Sequence, residues 1–155
     1  MTQPPSEINQ EPAATSQPQM VQVPVPGGVK TPGVTYVILG VTIFVYLLQL
    51  LSQSLLGSNI DLPVILGAKV NSLILQGQLW RLITPILLHG SILHIGFNMY
   101  ALFAIGPSLE RAYGHWRFLT LYLLGAFAGN TLSFLFSPST SVGASTAIFA
   151  LVAAE

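Results

Sequence analysis

A stretch of 23 residues without a single charge, residues 34–56, constrains this chain more than any other feature. A helix of that length reaches about 34 Å, which is enough to cross the roughly 30 Å hydrocarbon core of a bilayer. The rest of the chain suits the same setting, because 52% of its 155 residues are hydrophobic and only 6% are charged, whereas soluble domains carry roughly 25% charged residues. The sequence therefore predicts an integral membrane protein whose first transmembrane helix is residues 34–56.

Three further apolar segments follow this first span. Residues 86–105 end at Gly106 and Pro107, and residues 118–136 come after a short polar turn. The last segment, residues 142–154, has 13 residues and reaches about 20 Å as a helix, which is too short to cross. We therefore predict an all-α polytopic membrane protein with three full spans and a partial fourth. Because the fourth segment stops short, we expect the chain to be truncated within it.

The first 33 residues have a different composition from the rest. They hold seven of the eleven prolines, together with many Gln and Ser residues. A segment of this kind cannot bury enough apolar surface to offset the entropy lost on folding. We therefore predict two regions, a disordered Pro/Gln-rich tail at residues 1–33 and a membrane domain at residues 34–155.

Charge and cysteine content exclude several classes of function. The five basic residues are scattered and equal the acidic ones in number, so the sequence offers no patch for nucleic acid. The chain has no cysteine, which removes thiol catalysis and thiolate metal sites. On one helix His89 and His94 would diverge by about 140°, and His115 is expected at the other membrane face, so a histidine metal site fails on geometry. We predict no metal and no cofactor.

Three polar side chains stand in apolar segments that meet at one membrane face. His94 and Asn98 are four residues apart, which places them on one side of a helix. Two crossings separate the start of the second span from Ser145, so Ser145 lies toward the same face. Uncharged donors aimed at one point in a low dielectric suit the oxyanion of acyl transfer, and a serine supplies a nucleophile. Taken alone, Ser145 after Gly143 and Ala144 is typical of helix packing.

Two shorter patterns concern packing. Trp80 and Arg81 stand beside apolar residues, which favours a segment in the headgroup region with the guanidinium snorkelling. We expect this guanidinium to bond to loop carbonyls or to a carboxylate. An ordinary aqueous loop is the alternative. Gly125 and Gly129 form a GxxxG pattern, which is typical of a close contact between membrane helices.

An ordered set of motifs, over roughly residues 66–153, resembles the rhomboid intramembrane serine proteases. The set consists of Gln78-Leu79-Trp80-Arg81-Leu82-Ile83-Thr84-Pro85, then His89, His94 and Asn98, then Gly106-Pro107-Ser108-Leu109-Glu110-Arg111 with Gly114 and Arg117, then Gly143-Ala144-Ser145. By this resemblance Ser145 is the nucleophile, and His94, Asn98 and the backbone N–H of Ser145 form the oxyanion hole. The resemblance gives supporting roles to His89, Gly143, Trp80 and Arg81.

The resemblance also implies a six-helix bundle in the lipid bilayer, a Ser-His dyad, and transmembrane segments of other membrane proteins as substrates. We expect a multi-pass protein of a bacterial inner or plasma membrane. Thr146 stands where the family usually has Gly, and the dyad histidine of the family's sixth helix is absent from these 155 residues. The chain alone is therefore expected to be inactive. The alternative is a non-catalytic relative that binds the transmembrane segments of clients.

Overall fold

The computed structural model describes residues 29–155, so most of the predicted tail lies outside the described residues. The described part forms six helices: α1 (Gly33–Leu56), α2 (Leu62–Gly67), α3 (Asn71–Leu75), α4 (Ile92–Tyr113), α5 (His115–Phe136) and α6 (Ser145–Val152). Two short 3-10 helices, Leu79–Leu82 and Thr84–Leu87, lie between α3 and α4. Residues 29–155 contain no strand, only an isolated antiparallel bridge between Lys69 and Ser141. The all-α prediction is confirmed for this part of the chain.

Three of these helices are long and apolar enough to cross a membrane. They are α1, α4 and α5, with 24, 22 and 22 residues. At 1.5 Å per residue each reaches about 33–36 Å. The eight residues of α6 cannot cross. The prediction of three full spans and a partial fourth is confirmed.

The N-terminal end of α4 differs from the predicted second span. The helix begins at Ile92 rather than at residue 86, because Ser91 is its N-cap and accepts a hydrogen bond from the His94 backbone N–H at 3.2 Å. Pro85 belongs instead to the second 3-10 helix. His89 therefore precedes α4, and the prediction that it diverges from His94 on a shared helix is wrong.

The C-terminal end of α4 also differs, because the helix continues through Gly106 and Pro107. The prediction that these two residues end the second span is wrong. A proline removes one backbone donor, but tertiary packing holds the helix here, since a Cβ at Gly106 would lie 2.7 Å from Thr35 Cγ2 on α1. The Ser108 hydroxyl also donates to the Ile105 carbonyl at 2.8 Å. Neighbouring helices and Ser side chains make proline tolerable inside membrane helices.

Glu110 joins the C-terminal half of α4 to the start of α1. Its buried carboxylate accepts hydrogen bonds from the backbone N–H groups of Val34 and Thr35, at 2.8 and 2.7 Å, and from the Thr35 hydroxyl at 2.6 Å. The first N–H groups of a helix have no partner within it, and a negative charge there is favourable. His115 Nδ1 bonds to the same carboxylate. This places His115 at the end of α4 remote from His94.

The GxxxG pattern forms the contact between α5 and α6. A Cβ at Gly125 would lie 2.4 Å from the Ala150 Cβ, and one at Gly129 would lie 2.3 Å from the Thr146 Cβ. The predicted close helix contact is confirmed. Thr146, which departs from the rhomboid pattern, is thus accommodated by a glycine on the facing helix.

We expect Gly129→Ala to lower the free energy of unfolding by about 1–3 kcal/mol, the usual cost of overpacking, because the new methyl overlaps Thr146. The measurement is thermal unfolding of the chain in detergent micelles. In the Thr146→Gly background the same change should cost clearly less. Gly40→Ala on α1 is the control, because a Cβ there has no neighbour within 4 Å. Equal costs of Gly129→Ala in both backgrounds would contradict this packing.

Candidate active site

Ser145 is the first residue of α6 and is half-buried. Gly143, two residues earlier, has φ +124, a conformation that side chains with a Cβ rarely adopt. Its N–H donates to the Pro85 carbonyl at 2.8 Å. The segment entering α6 is therefore fixed to the 3-10 helix that precedes His89.

The His94 imidazole lies directly against Gly143. A Cβ built at Gly143 would lie 2.6 Å from His94 Cε1 and 2.7 Å from His94 Nε2. Only a glycine leaves room for this approach, so the geometry explains the residue type as well as its φ angle. The fold thereby brings an imidazole from the start of α4 beside the segment that carries Ser145.

Asn98 lies one helical turn after His94 and is buried. Its Nδ2 donates to the His94 carbonyl at 3.0 Å. An amide group has two N–H donors, so this bond leaves the second one for another acceptor. Because the two residues are four positions apart in α4, the Asn98 amide lies on the same side of the helix as His94, as the sequence pattern predicted.

His89 is buried next to His94 and is 2% exposed. The two rings meet edge to face, with centroids 5.0 Å apart. Gln49 of α1 holds the His89 backbone from both sides, because its Oε1 accepts from the N–H at 3.0 Å and its Nε2 donates to the carbonyl at 3.1 Å. His89 precedes the membrane-spanning helix α4, and burial, with His94 as a second cause, lowers the pKa of its imidazole. His89 is therefore neutral at pH 7 and packs behind His94.

Arg81 and Trp80 bind the end of α2 and so stabilise the connection before the site. Arg81 is 3% exposed, and its guanidinium donates to the carbonyls of Ile65 and Ala68 at 2.8 and 2.7 Å. These carbonyls end α2, where a helix leaves acceptors without partners. The predicted hydrogen bonds from this guanidinium to backbone carbonyls are confirmed, whereas the snorkelling interpretation is wrong because the side chain is buried. Trp80 is half-exposed and its indole N–H donates to the Leu66 carbonyl at 3.1 Å.

Two buried polar residues near this region were not singled out from the sequence. Gln49 lies inside the uncharged run of α1, and Lys69 is fully buried between α2 and α3. Burying a polar side chain in an apolar span costs free energy, and such a side chain usually has a specific partner. A buried hydrogen bond from Gln49 could therefore have been predicted from the sequence. Gln49 donates to the Asp61 carboxylate at 2.8 Å, and its other partner, the backbone of His89, is 40 positions away in the chain and had no local signature.

Comparison with known proteins identifies the family. A family model described as the Rhomboid domain matches residues 76–155, which is more than half of the chain. The chain belongs to the rhomboid family. This confirms the rhomboid-like bundle and makes the three candidate spans those of an integral membrane protein.

Several curated rhomboid relatives align with the chain. Rhomboid protease GluP of Bacillus subtilis is 44% identical over 123 residues, which are 79% of this chain and 24% of that protein. RHOMBOID-like protein 9, chloroplastic, of Arabidopsis thaliana is 43% identical over 95 residues, 61% of this chain and 22% of the relative. Rhomboid-like protease 3 of Toxoplasma gondii is 43% identical over 90 residues, 57% of this chain and 34% of the relative. The chain thus spans between 22% and 34% of the length of these rhomboid proteins.

Proposed function

We propose that this chain carries the nucleophile and the oxyanion hole of a rhomboid-type intramembrane serine endopeptidase that cleaves transmembrane segments of membrane proteins. The observation that carries the proposal is the contact between the His94 imidazole and Gly143, two residues before Ser145. The names of GluP and of the Toxoplasma relative, both rhomboid proteases, support the same reaction class.

In the proposed reaction the Ser145 Oγ attacks the carbonyl carbon of the scissile peptide bond. The hydroxyl proton passes to the dyad histidine that the rhomboid resemblance places on a sixth helix and then to the leaving amine. The acyl-enzyme ester is hydrolysed by water in a second attack. His94, the free N–H of Asn98 and the backbone N–H of Ser145 donate to the oxyanion in both steps. The Ser145 N–H opens α6, where backbone donors have no partner within the helix.

The alternative is a rhomboid protein that binds client transmembrane segments without cleaving them. We also propose a bacterial plasma membrane as the location, on the ground that GluP of Bacillus subtilis aligns over most of the chain. Relatives from Arabidopsis thaliana and Toxoplasma gondii align over shorter stretches.

The test uses a six-helix chain, in which residues 1–155 are extended to the six helices that the rhomboid resemblance implies. Reconstituted in liposomes, this six-helix chain should cleave a transmembrane reporter. The Ser145→Ala variant should not, while Ser54→Ala, at an exposed serine of α1, should cleave as the parent does. Stable capture of an uncleaved reporter by the parent would favour the client-binding alternative.

A further inference from the structure

Lys69 lies in the connection between α2 and α3 and is fully buried. Its Nζ donates to three backbone carbonyls, those of Ser133, Ser137 and Ser139, at 3.0, 2.7 and 2.8 Å. A protonated lysine has three N–H donors, so these acceptors satisfy the ammonium completely. Burial lowers the pKa of Lys69, and three acceptors favour the charged form against that effect.

The three acceptors belong to the end of α5 and to the connection that follows it. Ser133 lies in the last turn of α5, Ser137 is its C-cap, and Ser139 lies beyond it. The Ser133 carbonyl also accepts from the Ser137 N–H at 2.9 Å, whereas the Ser137 carbonyl is among the last carbonyls of the helix, which have no partners within it and form the negative end of its dipole. A cation is favourable at this position. One ammonium group therefore binds both the helix end and the chain leaving it.

The Lys69 backbone makes a second attachment to the same connection. Its N–H donates to the Ser141 carbonyl at 3.1 Å, and its carbonyl accepts from the Ser141 N–H at 3.2 Å. Gly143 then bonds to the Pro85 carbonyl. Lys69 thus holds the chain at residues 137, 139 and 141, immediately before the segment that contacts His94.

We propose that Lys69 is a positioning residue for Ser145. It holds the end of α5 and the 137–141 connection together and so fixes the position at which α6 begins. That position determines where Ser145 lies relative to His94 and Asn98. The catalytic consequence rests on the proposed function. The effect on the 137–145 segment does not, and it is measured separately.

Asn71 provides a matched comparison. Its Nδ2 donates to the carbonyls of Phe134 and Ser137 at 3.0 and 3.1 Å. It therefore holds the end of α5, as Lys69 does, but it has no bond to residue 139 or 141. Asn71→Ala removes bonds to the helix end alone, whereas Lys69→Met also removes the bond to the Ser139 carbonyl and leaves the connection held only by the backbone bonds between Lys69 and Ser141.

The first measurement is amide hydrogen exchange of the 155-residue chain in lipid nanodiscs. Loss of hydrogen bonds from a charged group should raise exchange of the 139–145 segment by about 10- to 100-fold in Lys69→Met. Lys69→Arg, which keeps the charge and the donors, should restore most of the protection. Asn71→Ala should leave residues 139–145 unchanged. Unchanged exchange in Lys69→Met, or an equal rise in Asn71→Ala, would overturn the proposal.

The second measurement is the rate at which a fluorophosphonate labels Ser145 in the six-helix chain, together with kcat and KM for the reporter. Lys69→Met should lower labelling and kcat by about 10²-fold, as a misplaced nucleophile does, with KM unchanged. Lys69→Arg should recover activity, and Asn71→Ala should stay near the parent. If the labelling rate and kcat of Lys69→Met fall only in proportion to the fraction of unfolded protein, Lys69 is not a positioning residue.

Two features keep the outcomes separable. If Lys69→Met does not fold, Lys69→Gln replaces it, because glutamine keeps two donors without the charge and should give a smaller effect in the same direction. If no form of the six-helix chain is labelled, the proposed function fails while hydrogen exchange still decides the role of Lys69. Where Lys69→Gln has replaced Lys69→Met, parent-like exchange of residues 139–145 in Lys69→Gln would overturn the role of Lys69.

Discussion

The 155-residue chain, reconstituted alone in liposomes, is expected to leave a transmembrane reporter uncleaved. A serine hydroxyl is a poor nucleophile until a positioned base takes its proton, and no histidine follows Ser145 in these residues. His115 bonds to Glu110 at the remote end of α4, and His94 is proposed as an oxyanion donor. Removing the base of a serine protease lowers kcat by about 10⁶-fold, which puts cleavage below detection.

The control for this experiment is the six-helix chain, assayed beside the short one with the same reporter. The six-helix chain should cleave, and its Ser145→Ala variant should not. Cleavage by the 155-residue chain that disappears in Ser145→Ala would contradict the expectation. It would mean that His94 or His89 serves as the base.

Gly143→Ala should lower kcat of the six-helix chain by about 10²- to 10³-fold, the usual cost of one oxyanion donor. The added Cβ would lie 2.6 Å from the His94 ring and would force the imidazole away. The φ angle of +124 adds backbone strain for any residue with a Cβ, about 1–3 kcal/mol. The measurement is reporter cleavage at saturating substrate, with thermal unfolding of the same preparation.

Gly90→Ala is the matched control for Gly143→Ala. Gly90 follows His89 in the same region, yet a Cβ there would have Val142 Cγ2 at 3.9 Å as its nearest neighbour, and its φ is not positive. Gly90→Ala should therefore keep kcat within about threefold of the parent, since exposed sites without special contacts change little. Parent-like activity in Gly143→Ala would mean that the His94 position is irrelevant to the reaction.

The long spans were predictable because hydrocarbon length and lack of charge are local properties of the sequence. The bounds of α4 were not, for two different reasons. Its start depends on the Ser91 cap, and the apolar pattern that continues on both sides of Ser91 hid this cap. Its end depends on the contact of Gly106 with Thr35 of α1, and this tertiary contact overrides the helix-breaking preference of Gly106 and Pro107.

The candidate site shows the same division between local and long-range signals. The i,i+4 spacing of His94 and Asn98 was readable because both lie on one helix. The edge-to-face packing of His89 on His94 was missed, since it arises only when His89 lies outside that helix. The three bonds from Lys69 join positions more than 60 residues apart. No local pattern around Lys69 distinguishes a buried ammonium from a solvated loop residue.

Identifying the residue modified by a fluorophosphonate in the six-helix chain tests the central claim most directly. After labelling in liposomes, peptide mass spectrometry should place the adduct on Ser145. Asn98→Ala should slow the labelling by about 10²- to 10³-fold without moving the adduct. An adduct on another residue, or no adduct on a chain that cleaves the reporter, would contradict the assignment of Ser145 as the nucleophile.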